Sequence, residues 1–218
     1  MKLLEDFYPY VRPFAPGASD LLLEQYVRDA CIELATRSHI IKADLDPITV
    51  IDGILQYEWD QPEQQRVLMV YRAFYGDARL IVHGVDSPAF GAPSFGNSYF
   101  AGASVPTGTP RVLRQLGDIG FVLDSAPAQV GEIMMTVHAA LKPDRKCSRV
   151  DDMLFEDYAN DIALGAASKI LMIPGQAFSN PSLAAGYGSL FNAACEAAKL
   201  RAAQTYGRPE MQVQFNRI

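Results

Sequence analysis

No apolar run in the chain approaches the roughly 20 residues needed to span a bilayer, and Met1–Phe7 lacks the basic, then apolar, then small-residue order of a signal peptide. The expectation is a protein made and used, or assembled, in a cytoplasm. Cysteine is scarce: Cys31, Cys147 and Cys195 stand far apart, with neither a disulfide framework nor zinc-ligand spacing. Cys31 and Cys195 fall in apolar helical contexts, where a free thiol behaves as a small hydrophobe. Positive charge is in deficit too. Nineteen Lys and Arg against 25 Asp and Glu leave a net charge of −6, the opposite of a dedicated nucleic-acid binder. Only 20% of the 218 residues are charged and 49% are hydrophobic, which excludes global disorder and suits one large domain or a domain carrying an inserted subdomain.

The motifs of several chemistries are missing as well. There is no GxxxxGK[ST] phosphate loop, and Gly186-Tyr187-Gly188-Ser189 runs on without a third glycine. There is no GxSxG elbow, which disfavours a serine hydrolase. His39, His83 and His138 fall in or at the ends of predicted strands without a second ligand at metal spacing. Asp151, Asp152, Glu156, Asp157 and Asp161 cluster, but acids at a helix start are stabilised by the macrodipole and need no metal to explain them. Trp59 reads as a sheet-edge packing residue. Arg111, Arg114, Lys142, Arg145, Lys146 and Arg149 read as scattered solvated charges. Catalytic residues, a metal and a cofactor are therefore not expected.

What is present is a clear order of elements. Phe7–Gly17, with three prolines among aromatics, predicts an extended strap. Ser19 is a cap residue, and Leu23, Tyr26/Val27, Ala30/Cys31 and Leu34/Ala35 predict a helix over 20–37. Short β-rich runs follow at 39–43, 49–51, 54–59, 66–75 and 79–83, then at 111–116, 120–123 and 130–141, predicting antiparallel strands. A helix over about 152–172 carries Gly165-Ala166-Ala167, small enough for another helix to approach closely, and ends before Pro174-Gly175. Asn180-Pro181 starts an Ala-rich last helix, 181–205, that carries Leu183, Tyr187, Leu190/Phe191, Ala194, Ala197/Ala198 and Leu200/Arg201. Gly165, Ala166, Ala194 and Ala198 are the expected helix-packing positions.

The domain reading is a strap and helix over 1–38, a β-rich insertion over 39–145, closing helices over 146–207 and an extended arm over 208–218. The fold class is α+β, with N- and C-terminal helices forming a helical bundle around an inserted antiparallel β subdomain. Residues 84–110 hold five glycines, four prolines and one charge, Asp86, beside Phe90, Phe95, Tyr99 and Phe100. So long and uncharged a loop either packs over the sheet or contacts a neighbouring chain. The tail Met211, Val213, Phe215, Ile218 alternates with polar residues like a lone strand.

Tyr10-Val11-Arg12-Pro13 through Pro16-Gly17 and Val27–Leu34 resemble the start of the head-to-tail adaptor (connector) proteins of tailed bacteriophages. Gly165-Ala166-Ala167, Met172-Ile173-Pro174, Phe178-Ser179-Asn180-Pro181 and the Ala-rich helix from Leu183 to Tyr206 resemble that family's closing helices. The two ends of the chain carry the match, over about 90 residues, and the middle is compatible but not diagnostic. The resemblance implies a non-enzymatic virion protein in the neck, assembled in the host cytoplasm: a dodecameric ring beneath the portal protein, joined to a downstream tail component. It also implies that Glu210–Ile218 is a portal-binding arm, and the alternation of Val213 and Phe215 suits strand addition to a partner's sheet edge. About twelve copies at −6 each would carry roughly −70, an acidic conduit through which genomic DNA slides without specific binding. The alternatives are another neck or tail-completion ring protein, or a soluble α+β enzyme or small-molecule binder with a pocket under 84–110.

Overall fold

The structure is a computed structural model that describes residues 1–84, 107–128 and 133–206. It is mixed α+β. The chain divides into two compact units, one made of Met1–Ile40 with the chain from Pro143 onward, the other of Ile41–Lys142. The divide lies two or three residues inside the boundaries expected at 39 and 145.

The first unit is helical. Ser19 accepts a hydrogen bond from the Leu22 amide and opens α2, Asp20–Ser38, which ends where His39 turns left-handed at φ 53°. Leu23, Val27, Ala30, Cys31, Leu34 and Ala35 are fully buried along one stripe of that helix. Asp151 accepts from the Met153 amide and opens α3, Asp152–Ile170. Asn180 accepts from the Leu183 amide at 3.1 Å, and Pro181 occupies the first turn of α4, Pro181–Tyr206, where a missing N–H costs nothing. The three helices pack on one another pairwise. Ion pairs lace their outer edges: Lys169 to Glu33 at 2.7 Å and Arg37 to Glu196 at 3.2 Å. Exposed pairs of this kind contribute little each, so burial carries the stability.

The expected strap is corrected. Leu4–Phe7 forms a 3-10 turn and Tyr8–Val11 one turn of helix, α1, with Pro9 at its start. Proline lacks the N–H that a first turn leaves unpaired anyway, so this proline-rich segment coils without losing a hydrogen bond. Coiling brings Phe7, Tyr8 and Val11 to one side, where all three are buried, and Phe7 meets the Phe155 ring edge-on at 5.1 Å. A short pair of strands, β1 (Lys2–Leu3) and β10 (Arg149–Val150), completes the unit, and sequence pattern had marked neither.

The second unit is an eight-stranded sheet that curls into an open half-barrel. Its strands are β2 (Lys42–Asp44), β3 (Ile48–Val50), β4 (Gln56–Glu58), β5 (Gln65–Tyr75), β6 (Ala78–His83), β7 (Val112–Leu116), β8 (Gly120–Leu123) and β9 (Ile133–Pro143). The order is β2-β9-β5-β6-β7-β8-β4, with β3 also paired to β9. Met135, Val137 and Ala139 face inward on β9 while Met134 and Thr136 face out, the period-two pattern of a half-buried strand. The antiparallel expectation fails between β6 and β7, which run parallel, Ile81 opposite Val112. A hairpin cannot join parallel neighbours, but the long connection from 84 to 111 can, because a parallel crossover needs about a dozen residues or more.

Two features lock this sheet. Gly120 lies so close to β4 that a Cβ there would sit 2.1 Å from the Tyr57 carbonyl oxygen. Beside it Phe121 stacks on Tyr57 at 5.2 Å and on Trp59 at 4.6 Å. Gln115, buried between β5 and β7, accepts from the Val70 amide at 2.9 Å and donates to the Leu68 and Gly117 carbonyls at 3.1 and 2.7 Å.

Candidate functional site

The small residues of α3 and the buried side of α4 set the geometry of the surface they share. A Cβ on Gly165 would lie 2.8 Å from the Phe191 ring, so the ring rests directly on the α3 backbone. Ala166 and Ala198 are buried, and Ala194 is half-buried. The buried side of α4 is Ala184, Phe191, Cys195, Ala198 and Ala202. Leu183, Leu190 and Leu200, which belong with the apolar positions in the sequence pattern, instead stand 48%, 56% and 65% exposed. The small positions win the inward side because they let the helices approach closely, and the leucines are left on the outside.

Along this surface runs a groove of about 490 Å³ between α3 and α4, with Leu164, Leu190, Ala193, Ala194 and Ala197 as its apolar lining and Asp157, Tyr158, Asp161 and Arg201 at its polar edge. Arg201 approaches Asp157 at 4.0 Å and lies over the Tyr158 ring. Burial pushes the Asp161 carboxyl above the ordinary carboxylate range. Nothing in the sequence pattern singled out this groove, since it depends on which side of α4 turns inward.

A second cleft, about 770 Å³, lies over the N-terminal turn, where Glu5, Tyr8, Arg12, Asp20 and Glu24 meet. Arg12 pairs with Asp20 at 2.7 Å, and Glu24 pairs with Arg28, which also donates to the Cys147 carbonyl at 2.8 Å. The Tyr8 hydroxyl is pushed up, first by burial and then by the carboxylates of Glu24, Glu5 and Asp20. The carboxylates of Glu5, Asp20 and Glu24 around the Arg12 guanidinium and the Tyr8 phenol make this a charged cleft suited to electrostatic contacts.

The remaining sequence candidates fall into ordinary places. Of the acidic group, Asp151 caps α3, Glu156 pairs with Lys2 at 3.4 Å and Asp157 with Arg201. Among the described residues no three His, Cys, Asp or Glu side chains gather as a metal site. His138 contacts Asp44 and lies near Tyr71 and Phe74 on the sheet, and His39 ends α2. All three cysteines are free and buried, and burial raises each thiol above its ordinary value, Cys31 furthest, which suits packing and not nucleophilic chemistry. Phe90, Phe95, Tyr99 and Phe100 of the expected contact loop, and Met211, Val213, Phe215 and Ile218 of the expected arm, lie outside the described residues. No helix among the described residues is long and apolar enough to cross a membrane.

No family model matches the chain, and no curated protein matches it significantly.

Proposed function

We propose that this protein is a non-enzymatic head-to-tail adaptor of a tailed bacteriophage, a ring subunit in the virion neck that joins the portal to the next tail component. The observation that carries the reading is where the resembling segments fall. Residues 10–17, 27–34, 165–167, 172–174 and 178–206 all belong to one unit, although the second unit, Ile41–Lys142, separates the first two segments from the rest. A helical unit assembled from both ends of the chain, with a β unit inserted between α2 and α3, is the organisation that the resemblance implies. The mutual packing of α2, α3 and α4 supports the bundle within that organisation. An exposed uncharged side of α4 supports contacts to other chains, because aromatic and aliphatic surface depleted of charge marks interface cores.

In this reading the helical unit holds the ring together, and Glu210–Ile218 forms the arm that reaches the portal by strand addition. The ring is heterologous, one side of a subunit meeting a different side of the next. Its acidic charge lets DNA pass without phosphate contacts.

The test is the native mass of the purified protein, alone and mixed with its cognate portal. A ring mass, or a monomer that joins the portal in about twelve copies, is the expected result. A monomer that ignores the portal overturns the reading. Removing Glu210–Ile218 should leave folding intact and abolish portal attachment, and unchanged attachment of the folded truncated chain removes the arm from the mechanism.

A further inference from the structure

The outward side of α4 carries a second periodicity, separate from the one that packs inside its own unit. Leu183, Gly186, Leu190, Ala193, Ala197 and Leu200 follow one another at intervals of three, four, three, four and three residues. All six are exposed and none is charged. An alternation of three and four sustained over this length keeps one seam facing a partner helix, because 3.5 residues per turn holds the positions in line as two helices wind around each other. Inside its own unit α4 uses the other side, Ala184, Phe191, Cys195, Ala198 and Ala202, while of the outer seam Leu190, Ala193 and Ala197 line the open groove beside α3 and remain exposed.

The residues beside the seam say which helix fits. Take Leu183, Leu190 and Ala197 as the first core position of each heptad and Gly186, Ala193 and Leu200 as the second. Glu196 then flanks the seam on one edge, and Arg201, five residues later, flanks it on the other. In two parallel helices in register, the flanking residue on one edge of the first helix faces the residue five positions on in the second. Glu196 of one copy therefore meets Arg201 of another, and the reverse pair forms where the contact is two-fold. An antiparallel overlap of the same leucines sets Glu196 opposite Ser189, with no opposite charge across the seam. Both side chains are 61% exposed; Glu196 also pairs with Arg37 at 3.2 Å, and Arg201 with Asp157 at 4.0 Å.

We infer that the outer side of α4 is a self-association seam whose occupant is α4 of a second copy of this chain, running parallel, with Glu196 and Arg201 pairing across it. The inference stands apart from the ring reading, because a seam that meets its own copy closes at two chains whereas the contacts of a ring are heterologous. Gly186, Ala193 and Ala197 allow the two backbones to come close, while the leucines at 183, 190 and 200 supply the apolar area.

Sedimentation over a dilution series tests this with four proteins: the unaltered chain, Glu196→Arg, Arg201→Glu and the double variant. The unaltered chain is expected to associate. Each single reversal, which sets like charges across the seam, is expected to weaken association about tenfold or more. The double variant is expected to recover it. Recovery cannot arise inside one copy, because Arg37 and Asp157 remain mismatched to the reversed charges. An unaltered chain that stays monomeric at every concentration overturns the inference and leaves a helix of another protein as the occupant. Single reversals without effect, or a double variant that fails to recover while keeping its helical circular dichroism, overturn it as well. Portal attachment of the same proteins is read separately, so a monomer that still joins the portal removes the seam and leaves the adaptor reading standing.

Discussion

Gln115 shows how much can hang on one polar side chain in the sheet. Its amide satisfies the Val70 N–H and the Leu68 and Gly117 carbonyls in a place with 3% exposure. Gln115→Leu fills similar volume but strands those groups, so it should destabilise by about 1–3 kcal/mol, measured by urea unfolding. Little or no change would mean that water reaches Val70. Asp161 works in the opposite direction. Its carboxyl is raised in the folded state by burial, so the fold prefers it protonated and loses stability as pH rises from the ordinary carboxylate range through the raised value. Asp161→Asn should therefore raise the melting temperature at pH 7, with the gain vanishing as pH falls below the ordinary carboxylate value. A gain that persists at the acid end would assign the effect to something other than ionisation.

The decisive contact between elements is that of Gly165 with Phe191. A methyl group at 165 must displace a ring held at 2.8 Å from the Cβ position, so α3 and α4 separate or Phe191 leaves its rotamer. Overpacking of this kind costs about 1–3 kcal/mol, which exceeds the gain of up to about 1 kcal/mol from replacing glycine with alanine in a helix. Gly165→Ala should thus destabilise in spite of its better helix propensity, and Gly165→Ala with Phe191→Leu should recover part of the loss. Chemical denaturation of the three proteins decides it. A stabilised single variant would show that the helices yield. The same contact explains the outward leucines of α4: a helix drawn in by a glycine and alanines has no room to turn Leu183, Leu190 and Leu200 inward.

At the scale of the molecule, each unit has its own core, and 41–142 is one continuous stretch while the helical unit needs both ends of the chain. Phe121, fully buried between Tyr57 and Trp59, serves only the sheet. Phe121→Ala should cost the sheet about 3–5 kcal/mol and speed amide exchange throughout residues 41–142, while α2 and α3 keep their protection. Equal loss of protection in both units would show that they unfold as one.

The sequence by itself was enough for the helices at 20–38, 152–170 and 181–206, because Ser19, Asp151 and Asn180 are local caps and apolar spacing is a local property. It was likewise enough for the free cysteines and for most strands, where period two is written in residues such as those of β9. Local signals failed where a partner distant in the chain decided the outcome. The prolines of 7–17 point to extension until Phe155 supplies a surface on which Phe7 and Tyr10 can pack. The parallel pairing of β6 with β7 depends on where a long connection returns, which no short pattern encodes. The orientation of α4 was beyond the sequence for the same reason: two apolar periodicities share that helix, and only the close approach at Gly165 chooses which of them turns inward and which remains outside.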